Sequence, residues 1–236
     1  MGIEQIIKPT RYNYIWLWIG TNTVGKTPTA IRLATAIKKA NPSKKVVCFD
    51  PRKSIRKVKI FNEKTKKEEP LVDKVIEEWE IDFWFELLGK DKDGKPVGKH
   101  WENYILLLDD YHILCRNYKM PQGFRDLIAM RVEYNIDIIG ITHTPKYILE
   151  GLKDHVTDYS IFYNLAKSSS FEDRVVNSEK CYGAAIVINE YFVKFGGGSY
   201  PKFAYVHINK FGKVTYVNMP WENVKQLDCF KYMKAG

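Results

Sequence analysis

A chain of 236 residues with 45% hydrophobic and 28% charged side chains has the balance of a folded globular protein, which excludes intrinsic disorder. A chain of this length buries roughly 70% of its extended surface on folding, so it requires neither a metal staple nor disulfides. The net charge of +9 favours polyanionic partners. The early apolar run from Tyr14 to Ile19 is far short of the ~20 residues of a membrane span, and neither a span nor a secretory leader is expected.

Tyr12 to Ile19 is a dense aromatic and β-branched run ending at Gly20, which predicts a buried strand. From Thr27 to Ala40, Ile31, Leu33, Ala34 and Ile37 fall mostly at helical spacing, Pro28 suits a first turn, and Asn41-Pro42-Ser43 ends the helix. Lys45 to Asp50 predicts a second strand, and strand, helix, strand in this order predicts a right-handed crossover in a parallel sheet. Charge is polarised beyond it. Twelve Lys or Arg between Lys38 and Lys67 face only Asp50 and Glu63, and eight acids between Glu68 and Glu86 face only Lys74. The basic block is either a solvated charged hairpin or a loop whose Arg52, Lys53, Arg56, Lys57 and Lys59 track a nucleic-acid backbone without reading its sequence.

A helix is expected over Asp73 to Leu88, with Val75, Ile76, Trp79 and Phe83 on its apolar side, then a loop from Gly89 to Gly98. Tyr104 to Leu108 is uninterruptedly apolar, as a strand covered on both faces must be. A helix over Gln122 to Tyr134, a buried strand over Ile136 to Thr142 and a fifth strand over Asp158 to Leu165 follow. Lys167 to Glu179 is polar around a Ser168-Ser169-Ser170 turn. Ala184 to Phe195, Lys202 to Asn209 and Val214 to Asn218 read as strands, so the last third is expected to be β-rich. One domain is expected, its core about 12–165 and its elaboration about 166–236. Cys48, Cys115, Cys181 and Cys229 form no C-x-x-C pair and read as incidental thiols.

The chemistry concentrates at Gly20-Thr21-Asn22-Thr23-Val24-Gly25-Lys26-Thr27, which matches G-x-x-x-x-G-K-[ST] between a strand and a helix. Glycines let consecutive N–H groups converge on a phosphate at the positive end of a helix. In such a loop Lys26 meets the β- and γ-phosphates of ATP, and the Thr27 hydroxyl goes to Mg²⁺. Such a site needs a carboxylate at the end of a central strand, and Asp109-Asp110 supplies it: Asp109 for the Mg²⁺ shell, Asp110 to polarise the attacking water. Two adjacent carboxylates repel unless a cation compensates them. Thr142 or His143, at the carboxyl end of the next strand, is placed to sense the γ-phosphate. Arg131 lies on the preceding helix and is either a snorkelling side chain or an arginine finger, with Arg125 and Arg174 as competitors.

These residues, with Phe49-Asp50-Pro51 and Ile141-Thr142-His143-Thr144-Pro145, resemble the FtsK–HerA superfamily of P-loop ATPases, in particular viral and phage genome-packaging ATPases. The zonula-occludens-toxin-like assembly proteins of filamentous phages are the related branch; they usually carry a membrane segment after the ATPase domain. The resemblance covers about residues 12 to 165. It implies an α/β P-loop NTPase with a mainly parallel, RecA-like central sheet flanked by helices, in which Ile136–Thr142 lies between Tyr12–Ile19 and Tyr104–Leu108. It also implies a homo-oligomeric ring moving double-stranded DNA into a preformed capsid through a portal vertex, in the host cytoplasm or on the virion. Two departures stand out: the family's usual Asp-Glu pair is Asp109-Asp110 here, and its glutamine-like sensor is His143. The alternatives are a P-loop phosphotransferase, an export ATPase of the toxin-like branch, and a nucleotide-gated adaptor without turnover.

Overall fold

The computed structural model describes residues 13–62, 65–76, 83–91, 93–114, 120–196 and 203–233. In chain order they form β1 (Ile15–Ile19), α1 (Lys26–Ala40), β2 (Lys45–Phe49), β3 (Lys59–Asn62), β4 (Lys67–Pro70), β5 (Lys74–Ile76), α2 (Phe83–Leu88), β6 (Tyr104–Leu108), α3 (Gln122–Met130), β7 (Ile136–Thr142), β8 (Asp158–Ile161), α4 (Ser169–Glu172), α5 (Ser178–Phe195), β9 (Tyr205–Asn209), β10 (Val214–Val217) and α6 (Trp221–Val224). Eight strands make one sheet in the order β10-β9-β8-β1-β7-β6-β2-β5. From β8 to β5 all neighbours run parallel, whereas β9 and β10 join antiparallel as a hairpin. The strand expected between β1 and β6 is there: β7 pairs with both, Leu17 opposite Gly140 and Leu106 opposite Ile138.

The apolar strands have two faces to cover. Trp16, Trp18, Ile105, Leu107, Ile139 and Ile141 point to the α1 side, where Ala30, Leu33 and Ala34 close the layer. Ile15, Leu17, Ile19, Leu106, Leu108 and Ile138 point the other way, against Phe124, Leu127 and Ile128 of α3 and the inner face of α5. Side chains alternate along a strand, so a sheet with helices on both faces needs apolar residues at every position.

The structure corrects the sequence reading in several segments. Ala184–Phe195 is not a strand but the greater part of α5, an 18-residue helix burying Cys181, Ala184, Ala185, Ile188 and Tyr191. Those positions recur every three or four residues, and that period outweighs the β propensity of Ile186-Val187-Ile188. Of the helix expected over Asp73–Leu88, Phe83–Leu88 is helical. Lys74–Ile76 instead extends the sheet beside β2, anchored where the Asp73 carboxylate accepts the Val46 N–H (2.7 Å) and pairs with Lys38 (2.7 Å); Trp79 lies outside the described residues. The end of the basic block, from Lys59, enters a two-stranded β3–β4 ribbon, whereas Arg52, Lys53, Arg56 and Lys57 lie on the loop before it. Strand β8 stops at Ile161, α3 stops at Met130, and Ser169–Glu172 is a helical turn within the expected polar loop. Cys48, Cys181 and Cys229 are buried free thiols, and Cys115 lies outside the described residues.

Where the α1–β2 connection meets β7, Lys44 and Asp137 form a buried ion pair at 2.5 Å, and Asp137 also accepts the Tyr14 N–H at 2.9 Å. Removing one partner strands the other charge in the interior. Lys44→Ala is therefore expected to lower unfolding free energy by about 3–5 kcal/mol in urea titrations. A Lys44→Met/Asp137→Asn double variant should lose clearly less.

Candidate functional site

Segment 20–27 turns from β1 into α1 at the carboxyl edge of the sheet. Its entry is pinned by backbone bonds from Gly20 N–H to Thr142 O (3.2 Å) and from Thr21 N–H to Tyr163 O (2.9 Å). A Cβ at position 20 would sit 2.6 Å from Phe162 Cβ, so only glycine passes there. Gly25 takes φ 92°, a left-handed conformation that closes the loop, and its carbonyl accepts the Thr29 N–H (3.1 Å) as α1 begins. The first turn of α1 contains no acidic side chain, so the positive end of its dipole is uncompensated and favours an anion.

Lys26 is buried, and its ammonium donates to the carbonyls of Gly20 and Thr21, both at 2.6 Å. Burial lowers its pKa to about 8, and the nearby charges of Asp110 and Asp109 oppose the shift. Asp109 accepts a hydrogen bond from the Thr27 hydroxyl at 3.3 Å, which joins the two residues expected to share a metal. Burial, then the charge of Asp110, pushes the Asp109 carboxyl up to about 6. A hydroxyl and a carboxylate are hard oxygen donors suited to Mg²⁺. Among the described residues no group of three or more His, Cys, Asp or Glu could hold a metal alone.

Asp110 adopts φ 51° immediately after β6 and is almost fully buried. One oxygen, Oδ1, is 2.7 Å from His143 Nε2, and the other, Oδ2, is 2.7 Å from Arg52 Nη2. His143 Nδ1 faces the Lys26 ammonium at 3.5 Å. Nε2 also lies 3.2 Å from Arg52 Nη2, so the imidazole stands between two cations and the Asp110 carboxylate. Lys26, Arg52, Asp109 and His143 line an open cleft of ≈ 330 Å³ with Asn22, Thr23, Gly25, Thr27, Pro28 and Phe203, and Asp110 lies behind Arg52 and His143. Thr142, also weighed as the sensor, is buried, and its hydroxyl donates to Thr144 O at 3.3 Å.

The remaining candidates divide by position. Arg131 follows α3, just before β7 begins, at the opposite edge of the sheet from the P-loop, and its Nη1 donates to Ile128 O at 2.7 Å. Arg174 is tied to Ile148 O at 3.1 Å, whereas Arg125 is exposed on α3. Arg56 bonds Asp50 through Nε (3.4 Å) and Nη2 (3.0 Å to the carbonyl). Lys53, Lys57 and Lys59 are exposed, and Arg52 sits in the cleft. Of two further cleft residues, Arg52 was read in the sequence only as a nucleic-acid contact and Phe203 was not read at all. Arg52 follows the carboxyl end of β2, which the sheet order places beside β6, and that edge position was its signal. Phe203, at φ 72°, reaches the loop from the distant β9 side, its N–H 3.4 Å from Val24 O and its ring under the Arg32 guanidinium (4.6 Å).

A parallel sheet with this order and this loop at its carboxyl edge is the fold of a P-loop NTPase. Among solved structures it is similar to the genome packaging NTPase B204 from Sulfolobus turreted icosahedral virus 2. The complex with AMP shows 12% identity and a TM-score of 0.60 over 89% of this chain and 98% of that one. The complex with AMPPCP shows 11% identity and a TM-score of 0.58 over the same shares, 89% and 98%. B204, the DNA-packaging ATPase from Sulfolobus Turreted Icosahedral Virus, shows 15% identity and a TM-score of 0.54, covering 86% and 96%. At such identities the likeness shows the fold. No family model matches the sequence, and neither does any curated protein.

The Asp50 carboxylate accepts the N–H groups of Ser54 (2.9 Å), Ile55 (2.9 Å) and Arg56 (3.0 Å), and so fixes the loop that carries Arg52. Burial alone would raise its pKa, but these bonds and the Arg56 side chain outweigh burial and hold it below the ordinary carboxylate value. Asp50→Asn is expected to cost about 1.5–3 kcal/mol in denaturant unfolding at neutral pH. A depressed folded pKa stabilises above the unfolded value of about 3.9 and loses that contribution as pH falls through the folded one. The gap between wild type and Asp50→Asn should thus be full at pH 6 and shrink steadily below about pH 4.

Proposed function

We propose that this chain is an ATP-hydrolysing motor that packages double-stranded viral DNA into a preformed capsid, acting as one P-loop ATPase domain within a homo-oligomeric ring. The single observation that carries the ATPase reading is the constellation at the carboxyl edge: Lys26 and Thr27 on the loop, with Asp109 and Asp110 on the next strand but one. The packaging reading is supported by the resemblance in the motifs and by the likeness to B204, whose structures include complexes with AMPPCP and ATP-gammaS. Among the described residues no helix is long and apolar enough to cross a membrane, so the toxin-like branch gains no support there. The working place implied is the host cytoplasm or the packaging vertex of the virion.

Each side chain has a task in that reaction. Backbone N–H groups of 22–27 and the dipole of α1 hold the β- and γ-phosphates. The Lys26 ammonium leaves the loop carbonyls for the phosphates, with their negative charge replacing two neutral acceptors. Thr27 and Asp109 would hold Mg²⁺, which when bound neutralises charge between the β- and γ-phosphates. Asp110 accepts a proton from the attacking water as its oxygen bonds the γ-phosphorus. The bridging β–γ P–O bond breaks, ADP departs with the electron pair, and the proton passes on to the released phosphate. His143 orients Asp110 and stands beside Lys26, where it can register the γ-phosphate. A neighbouring subunit would supply an arginine finger. Arg131 can play that part only if the ring apposes opposite sheet edges, whereas exposed Arg125 faces fewer geometric demands. Lys53, Lys57 and Lys59 would grip DNA phosphates without reading bases, which suits a packaging motor.

Two outcomes test this. ATP hydrolysis by the wild type should rise severalfold with double-stranded DNA of any sequence, and the stimulation should fade with rising salt. Turnover indifferent to DNA, or phosphate appearing on an acceptor other than water, would favour the phosphotransferase. Asp110→Asn should retain ATP binding while steady-state turnover drops by about 10²–10⁴. Unchanged turnover in that variant would remove Asp110 from the chemistry.

A further inference from the structure

Arg52 follows the second strand within a run of cations, and the run invites a DNA role; its surroundings indicate another. The chain turns sharply after β2, with Lys53 N–H bonded to Asp50 O (3.1 Å) and the Asp50 carboxylate holding the N–H groups of Ser54, Ile55 and Arg56. This loop is a fixed platform, and Arg52 projects from it over the carboxyl edge of β6. There its Nη2 lies 2.7 Å from Asp110 Oδ2 and 3.2 Å from His143 Nε2. The same guanidinium lines the cleft with Lys26, Thr27 and Asp109. Its side chain is 55% exposed, whereas that of Asp110 is 2% exposed, so a solvent-facing cation closes over a buried carboxylate.

A carboxylate paired to a guanidinium is a poor acceptor for a proton from water, because the cation stabilises its ionised form. A guanidinium fork suits a phosphate as well as a carboxylate, and a phosphate with more negative charge competes strongly for it. A partly exposed ion pair is also the kind most readily exchanged. We propose that Arg52 is the terminal-phosphate sensor of this site, exchanging between two anions: the Asp110 carboxylate it holds here and the terminal phosphate of a nucleoside triphosphate. The exchange unpairs Asp110 only when a third phosphate is present, so ADP leaves the carboxylate neutralised and ATP frees it. Arg52 is thus a positioning residue for Asp110 and a discriminator of triphosphate from diphosphate. This inference rests on the ATP-site reading and adds to it a cis-acting residue from the β2 loop.

The test compares the affinity of wild type, Arg52→Ala and Arg52→Lys for the β,γ-methylene analogue of ATP and for ADP, alongside double-stranded DNA affinity and thermal midpoint. Arg52→Ala should weaken the analogue by roughly 10- to 100-fold while ADP stays within about 2-fold, since the lost contact is a charge-assisted bond to the third phosphate alone. Arg52→Lys should recover part of the analogue's advantage, and the thermal midpoint and DNA affinity should match wild type. An unchanged analogue-to-ADP ratio overturns the proposal. Equal losses for both nucleotides, with a lowered midpoint, overturn it in favour of a structural role. Loss of DNA affinity with intact nucleotide binding returns Arg52 to the DNA surface and also overturns it. Wild-type protein that binds neither nucleotide refutes the ATP-site reading itself and this inference with it, a failure distinct from the other three.

Discussion

Two buried carboxylates side by side on one strand end are the constraint around which the rest is arranged. Asp109 and Asp110 repel each other in a poorly solvated setting, and the raised pKa of Asp109 expresses that strain. The fold answers with two cations and an imidazole from three separate segments: Lys26 from the P-loop, Arg52 from the loop after β2, and His143 from the end of β7. The compensation is uneven. Asp110 is held by Arg52 and His143, whereas among the described residues Asp109 accepts a side-chain hydrogen bond from the Thr27 hydroxyl alone, at 3.3 Å. In the function proposed, a divalent cation carried in with a polyphosphate would supply what Asp109 lacks, and the phosphates would take over Lys26.

Parallel topology makes this convergence possible. Strands β1, β7, β6 and β2 are adjacent and point the same way, so the segments leaving their carboxyl ends meet on one edge. Helices covering both faces leave that edge and the opposite one as the places where chain ends and loops gather, which separates the nucleotide edge from Arg131. The hairpin of β9 and β10 extends the sheet beyond β8 and brings Phe203 back onto the P-loop, its ring 2.9 Å from where a Cβ on Gly25 would lie. The C-terminal third therefore contributes to the cleft through Phe203.

The P-loop, β6 and β7 were legible because each carries a local signature: a fixed glycine spacing, or an unbroken apolar run closed by polar chemistry. Helix α5 was not, because the run Ala184-Ala185-Ile186-Val187-Ile188 is apolar at every step, and its 3.6 period emerges only when Cys181 and Tyr191 are included. Strand β5 is too short to show a period, and its pairing with β2 depends on Asp73 bridging to Val46, a tertiary contact. The cleft position of Arg52 was hidden for a related reason. Composition groups it with Lys53 and Lys57, but sheet order sets it beside Asp110, and charge counting carries no direction. Arg56 likewise looked like a surface cation and is bound to Asp50.

The central claim is that this edge is an electrostatic cradle for a magnesium-bound polyphosphate, and equilibrium calorimetry on the wild-type chain tests it most directly. Titrating ATP with Mg²⁺ should give one saturable site with a dissociation constant in or below the range of about 1 μM–1 mM typical of enzyme substrates. Inorganic tripolyphosphate should displace the nucleotide, and adenosine should not. Absence of saturable heat at millimolar ATP with Mg²⁺ present, or displacement by adenosine and not by tripolyphosphate, would contradict the account.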